Sequence, residues 1–356
     1  MRRLTALKLL FGVGVLAGAA LAVTLALGST GASRGHLPQG TIWVTERTPG
    51  LSTVAALDAA TGTPLGITSV GEIPIGVTAP RGLDKVYSSD EGSDQMSVID
   101  KDTLSVLRTI PMGEGSGPHH MMATRNGRYI YVGEYHHDKV GLVDTRLDQN
   151  IADFQASHVP GAKTHSVWIT RNRRDLYATN EGPVQTGPGT FSKLDGRTGA
   201  FVWEFGVGNR PSEVLVSRDT AYVSVRNDDV IRAYDVSGSL PVLIGQAEAN
   251  VRPDTLSLTK DRKTLIVGLR GTPARMAFID TGSLTTQYLS LPGTTTGHQW
   301  LSRDSRYTFI ALETPGAIGV VDNRARTLVA TYPYPNGLTR PHGVFYDPGH
   351  RHHEGH

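Results

Sequence analysis

Residues 121–134, MMATRNGRYIYVGE, read as two short strands around a polar turn at Asn126-Gly127, and the next strand closes on Leu142-Val143-Asp144. The same unit returns in VWITRNRRDLYATNE (167–181), VLVSRDTAYVSV (214–225), LSLTKDRKTLIVGL (256–269) and WLSRDSRYTFIALE (300–313). An apolar strand ending in Asp recurs with it, at Asp58, Asp100, Asp144, Asp195, Asp235, Asp280 and Asp322. These positions lie 42, 44, 51, 40, 45 and 42 residues apart, a period that holds four short strands and their turns. Seven such units predict an all-β chain folded as a seven-bladed β-propeller. The chain enters at IWVTE (42–46), which matches a second strand, and closes at HGVFYDPG (342–349), which matches a first strand. The ring is therefore expected to close by pairing of its N- and C-terminal strands, which removes the open edge of a linear array.

Composition narrows the function. Net charge is +2 with both signs scattered and aromatics are 7%, so no basic stripe is visible and nucleic acid is not expected as a partner. The absence of cysteine excludes disulfides, thiolate metal sites and a cysteine nucleophile. Arg2, Arg3 and Lys8 precede an uncharged run, Leu9–Leu27, followed by small residues at 28–33. Residues 1–35 read as a signal peptide or an N-terminal membrane anchor, because nineteen apolar residues suffice to span a bilayer. The rest is expected outside the cytoplasm, touching a membrane only through that segment if it is uncleaved. Residues 36–349 form the propeller. The stretch 350–356 is a His-rich flexible tail, suited to adventitious metal binding. The GASRG at 31–35 matches a serine-nucleophile pattern, but it stands at the export junction rather than on a strand-to-helix turn.

Let the strands of a blade be A to D from the axis outward. They alternate in direction, so A starts, B ends, C starts and D ends on one face. His119, His120, His165, His298 and His342 stand at A-strand starts, His136 and His137 in a B–C loop, and His158 in a D–A connection, all on that face. Glu46, Glu91, Glu134, Glu181 and Glu313 end B strands there, and Arg210, Arg252 and Arg340 precede A strands. Imidazoles from several blades meeting on one axis can supply three or four nitrogen ligands, so His119, His165, His298, His342 and His120 are the candidate metal set. Strict strand alternation would turn His120 away from its neighbour. Glu134, Glu181, Glu313, Arg210, Arg252 and Arg340 are the candidate contacts for a small molecule at the axial mouth. The plain alternative is that these polar residues bond only to neighbouring loops.

Tyr177-Ala178-Thr179-Asn180 and Tyr131-Val132-Gly133-Glu134 stand where the YVTN β-propeller repeat has its signature tetrapeptide. From about residue 41 to 349 the chain resembles that family, whose relatives include copper and haem reductase propellers and lactone-processing enzymes. Pro118-His119-His120 and Arg340-Pro341-His342-Gly343 look like the arrangement of copper-binding propellers of the nitrous-oxide reductase type, although Ile75, Ser212 and Asp254 replace His in three blades. The resemblance implies copper as the cofactor and oxidation of a small molecule as the function. Two other classes stand beside it: a metal-assisted lyase or lactone hydrolase, and a non-catalytic propeller that binds a ligand or a protein partner. No catalytic residue is assigned.

Overall fold

The computed structural model describes residues 37–183, 187–337 and 340–349; the apolar run and the His-rich tail lie outside them. Among the described residues are seven four-stranded antiparallel sheets, the propeller that the repeat predicts. Blade 1 takes strand A from the C-terminus (Pro341–Asp347) and B, C and D from the N-terminus (Thr41–Glu46, Thr53–Asp58, Pro64–Ser69). Register runs from Thr41↔Asp347 to Val44↔Val344, so closure is a ladder of backbone bonds between the two ends of the chain. Blades 2 to 7 follow in order, with A strands Pro74–Thr78, Pro118–Ala123, Thr164–Ile169, Pro211–Ser217, Pro253–Leu258 and Thr295–Leu301.

The repeated Asp has a local cause. It ends strand C, and its Oδ1 accepts backbone N–H bonds from the turn that follows: from Ala60 and Thr61 at Asp58, and from Asp102 and Thr103 at Asp100. The same bonds recur at Asp144, Asp195, Asp280 and Asp322. A short carboxylate closes such a turn better than any longer side chain, which is why the motif survives while the strands around it vary.

The tetrapeptide has one too. Thr179 donates its hydroxyl to the carbonyl of Ser212 in the next blade, at 2.7 Å. Thr45 does the same to Ile75, Ser89 to His119 and Ser224 to Asp254. These hydroxyls stitch strand B of one blade to strand A of the next around the axis. Blades 3 and 6 carry Gly133 and Gly268 in this slot, and at Gly133 an added Cβ would come within 3.0 Å of the Thr164 and His165 carbonyls. Outward from this ring, aromatic and branched residues such as Tyr131, Phe191, Phe278 and Phe309 are fully buried between sheets. Burying each contributes about 1.5–3 kcal/mol. Among the described residues, seven apolar clusters between Leu37 and Tyr346 make up the core.

Candidate active site at the axial mouth

Register defines three positions that recur in every blade and face the axis. Each A strand begins with a β-bulge: Pro118 pairs with Glu134 and Met121 with Val132, leaving His119 and His120 opposite a single residue. The first bulge position holds His342, Ile75, His119, His165, Ser212, Asp254 and Gly297 in blades 1 to 7. The second holds Gly343, Gly76, His120, Ser166, Glu213, Thr255 and His298. The third is the residue just past the partner of the A-strand start, at the B–C corner: Arg47, Glu91, Tyr135, Glu181, Arg226, Arg270 and Glu313.

The bulge overturns one expectation. His120 does not turn away from His119; the two rings stack 4.9 Å apart at 11°, because a bulge breaks the alternation that a regular strand imposes. His165 lies 4.4 Å from His119 and 4.5 Å from His120, His298 4.1 Å from His120, and His342 4.4 Å from His298. Five expected imidazoles thus meet in one chain of contacts. Burial, reinforced by the neighbouring rings and guanidiniums, holds all five well below the usual histidine range, His165 at about 3. They are neutral bases at physiological pH. His342 Nδ1 lies 2.7 Å from Glu313 Oε1; a carboxylate only accepts, so Nδ1 carries the proton and Nε2 is left with a lone pair. His119 Nδ1 and His298 Nε2 are buried without a partner among the described residues.

Around the imidazoles runs a belt of charge. Tyr135 donates to Glu181 (2.6 Å), as do Arg210 Nε (2.9 Å) and Arg226 Nη1 (2.8 Å). Arg226 continues to Asp254, Arg270 joins Asp254 (3.3 Å) to Glu313 (2.9 Å), and Arg47 completes the arc on Glu313 (2.8 Å). Burial alone would raise the Asp254 carboxyl, but Arg226 and Arg270 outweigh it and hold it well below the carboxylate range. Blade 2 interrupts the belt. There, among the described residues, Glu91 makes no ion pair with an arginine; it faces His119 Nε2 at 3.5 Å and His136 Nε2 at 3.7 Å, and burial pushes it to about 7.

Of the expected contacts, Glu181, Glu313 and Arg210 join this belt. Glu134 does not. It is the last residue of its strand rather than the corner residue, one place out of step with Glu181 and Glu313, and one place sends a side chain to the other side of the sheet. Its oxygens are buried near His137 (3.6 Å) with no hydrogen bond, and burial, with the Asp153 charge, pushes the carboxyl to about 8. Glu46 shares that step and caps its own loop through Thr48 N–H and Arg340 N–H. Arg252 and Arg340 stand exposed at the mouth, with no ion pair among the described residues. The sequence reading missed Arg47, Tyr135, Arg226 and Arg270, and noted Asp254 only as a replacement for an axial histidine.

Glu134 yields a test. A carboxyl raised in the folded state contributes stability that is full below about 4.5 and is lost as pH rises through about 8. Glu134→Gln cannot ionise, so its melting temperature gains on wild type by a few degrees between pH 5 and pH 8.5. An offset independent of pH in scanning calorimetry would refute the assignment.

His119, His120 and His165 bring ligand nitrogens within 4.8 Å of one another. A metal fits them poorly. His165 Nδ1–H donates to the Ser212 carbonyl (2.7 Å), and its Nε2 faces Arg226 Nη2 at 3.3 Å, so a guanidinium already stands where a cation would need the lone pair.

The family model described as "Lactonase, 7-bladed beta-propeller" matches residues 77–278, more than half of the chain. No curated protein sequence matches. Among solved structures, the chain is similar to a Kuenenia stuttgartiensis hydrazine synthase chain (16% identity, TM-score 0.69, covering 85% of this chain and 99% of that one). It is also similar to the periplasmic gluconolactonase of Pseudomonas aeruginosa (16%, 0.65, 86% and 98%) and to a streptogramin B lyase (14%, 0.64, 86% and 94%). At such identities the likeness is one of fold. The expectation of copper-dependent oxidation is corrected by the family match, and the belt gives the physical reason. Four guanidiniums beside five neutral imidazoles suit an anionic, oxygen-rich transition state better than a redox cation.

Proposed function

Because the chain belongs to the seven-bladed β-propeller lactonase family, we propose that it hydrolyses a lactone at the axial mouth, by general acid–base chemistry carried on imidazole. The observation that carries this reading is the His342–Glu313 pair. Glu313 fixes the tautomer at 2.7 Å and leaves Nε2 as the base among rings that burial keeps neutral. Nε2 of His342 takes a proton from water, the hydroxide adds to the ring carbonyl, and the tetrahedral oxyanion is met by Arg47 and Arg270. Their side chains retain 18% and 17% exposure, so they reach solvent and substrate as well as Glu313. The ring oxygen then leaves with the proton returned from the imidazolium, giving a hydroxy acid. Arg252 and Arg340, exposed and unpaired, supply attraction for an anionic group on the substrate, such as a carboxylate or phosphate. We assign no step to a metal.

We also place the reaction outside the cytoplasm, on the support of the charged start and the uncharged run Leu9–Leu27. The test is proton release from a panel of five- and six-membered sugar lactones, with and without an acidic substituent, by propeller purified from residues 36–349. Turnover above the spontaneous rate, faster for the acidic members, is expected. Folded protein inert towards the whole panel would sink the reading.

A further inference from the structure

The face opposite the mouth carries a charge pattern that the sequence hides. It is formed by the A–B turns, next to the axis, and the C–D turns, towards the rim. The six A–B turns of blades 2 to 7 (79–84, 124–128, 170–174, 218–219, 259–263 and 302–306) contain twelve Lys and Arg against four Asp, although the whole chain is only +2. Arg81, Arg125, Arg171, Arg174, Arg262 and Arg303 are exposed and make no ion pair among the described residues. The repeat aspartates sit farther out, in the C–D turns, beside Lys101, Arg146, Arg197, Arg324 and Arg326. In the linear sequence these cations are forty residues apart and look scattered; the ring gathers them.

A second observation says what this crown meets. Strand B of blade 1 starts on this face, so the chain enters the propeller here. Gln39 borders a hollow of about 770 Å³ with Arg81, Arg303, Phe345 and Trp300, whose indole is 41% exposed and lies 4.5 Å from the Phe345 ring. Nine residues, 28–36, separate the uncharged run Leu9–Leu27 from this entry point, a reach of at most about 30 Å. A basic crown with an exposed Trp, on the face where the chain enters the propeller, has the chemistry of an interfacial surface. We propose that the A–B-turn face docks on an anionic lipid surface, through its arginines and Trp300, leaving the axial mouth turned away from the bilayer. This inference stands apart from the proposed reaction.

The test uses the propeller without its apolar run, residues 37–349, which contain the seven apolar clusters. In co-sedimentation it binds vesicles rich in phosphatidylglycerol at low salt, loses them at high salt, and ignores vesicles of phosphatidylcholine alone. The variant Arg171→Glu/Arg174→Glu/Arg262→Glu/Lys263→Glu loses at least about a hundredfold in partition, since each cation near such a surface is worth roughly a factor of five. Its melting temperature stays at the wild-type value. Trp300→Ala loses the blue shift of tryptophan emission on binding. Equal partition to both vesicle types, or undiminished binding by the four-fold variant, overturns the proposal. So does tighter capture of an RNA oligonucleotide than of the anionic vesicles, which would assign the crown to nucleic acid.

Discussion

Arg226→Met lowers the unfolding free energy by about 3–5 kcal/mol, as expected when one partner leaves a buried ion network and its counter-charges stay behind. The side chain is 6% exposed and bridges Glu181 in blade 4 to Asp254 in blade 6 from its own place in blade 5. Methionine fills the volume but leaves Asp254 to Arg270 alone, at 3.3 Å, and Glu181 to Arg210 and Tyr135. The melting temperature falls by about 10 °C for a chain of this size. Arg226→Met/Asp254→Asn/Glu181→Gln recovers most of the loss, because the cost lies in the stranded charges rather than in the missing cation. A single variant melting within about 2 °C of wild type would show that water or rearranged side chains satisfy the carboxylates, and the belt would lose its structural role.

The second large effect concerns the chemistry. His342→Gln is expected to lower kcat/KM for lactone hydrolysis by about 10²–10⁴, the usual contribution of a positioned proton-transfer group, with little change in stability. Added imidazole partly restores a His342→Gly variant. Because burial lowers the imidazole, the rate rises with pH along a limb below 6.5 and is flat above it; that limb disappears in His342→Gln. Retention of more than a tenth of wild-type turnover would move the base to another ring of the cluster, with His298 next in line through its unpartnered Nε2.

What the sequence made legible was whatever a single blade decides. The capped C–D turn needs its Asp in every copy, so seven aspartates announced seven blades, and the phase of IWVTE and HGVFYDPG announced the closure. The five axial histidines were legible for the same reason, since each stands at one of two adjacent positions at the start of its A strand. What one blade does not decide stayed hidden. Arg226 and Arg270 share a slot with Glu181 and Glu313, but a row sought by its carboxylates passes over them. Glu134 entered that row by resembling its members, one residue out of step. The bulge that turns His119 and His120 the same way adds no residue type of its own, so alternation misplaced His120. The basic crown is visible only when the ring brings turns forty residues apart side by side.

The pairing of Pro341–Asp347 with Thr41–Glu46 also sets an order of events in time. Strands B, C and D of blade 1 leave the ribosome about three hundred residues before their innermost partner. At about 5–20 residues per second, they wait on the order of a quarter-minute to a minute before a native neighbour exists on that edge. During that interval Thr41–Glu46 is an edge strand with a row of free backbone donors and acceptors on its inner side, the element most exposed to mispairing with another nascent chain. Once the last strand arrives, the same ladder becomes a clasp. Blade 1 can then open only by parting residues about three hundred positions apart, which favours slow unfolding over mere equilibrium stability.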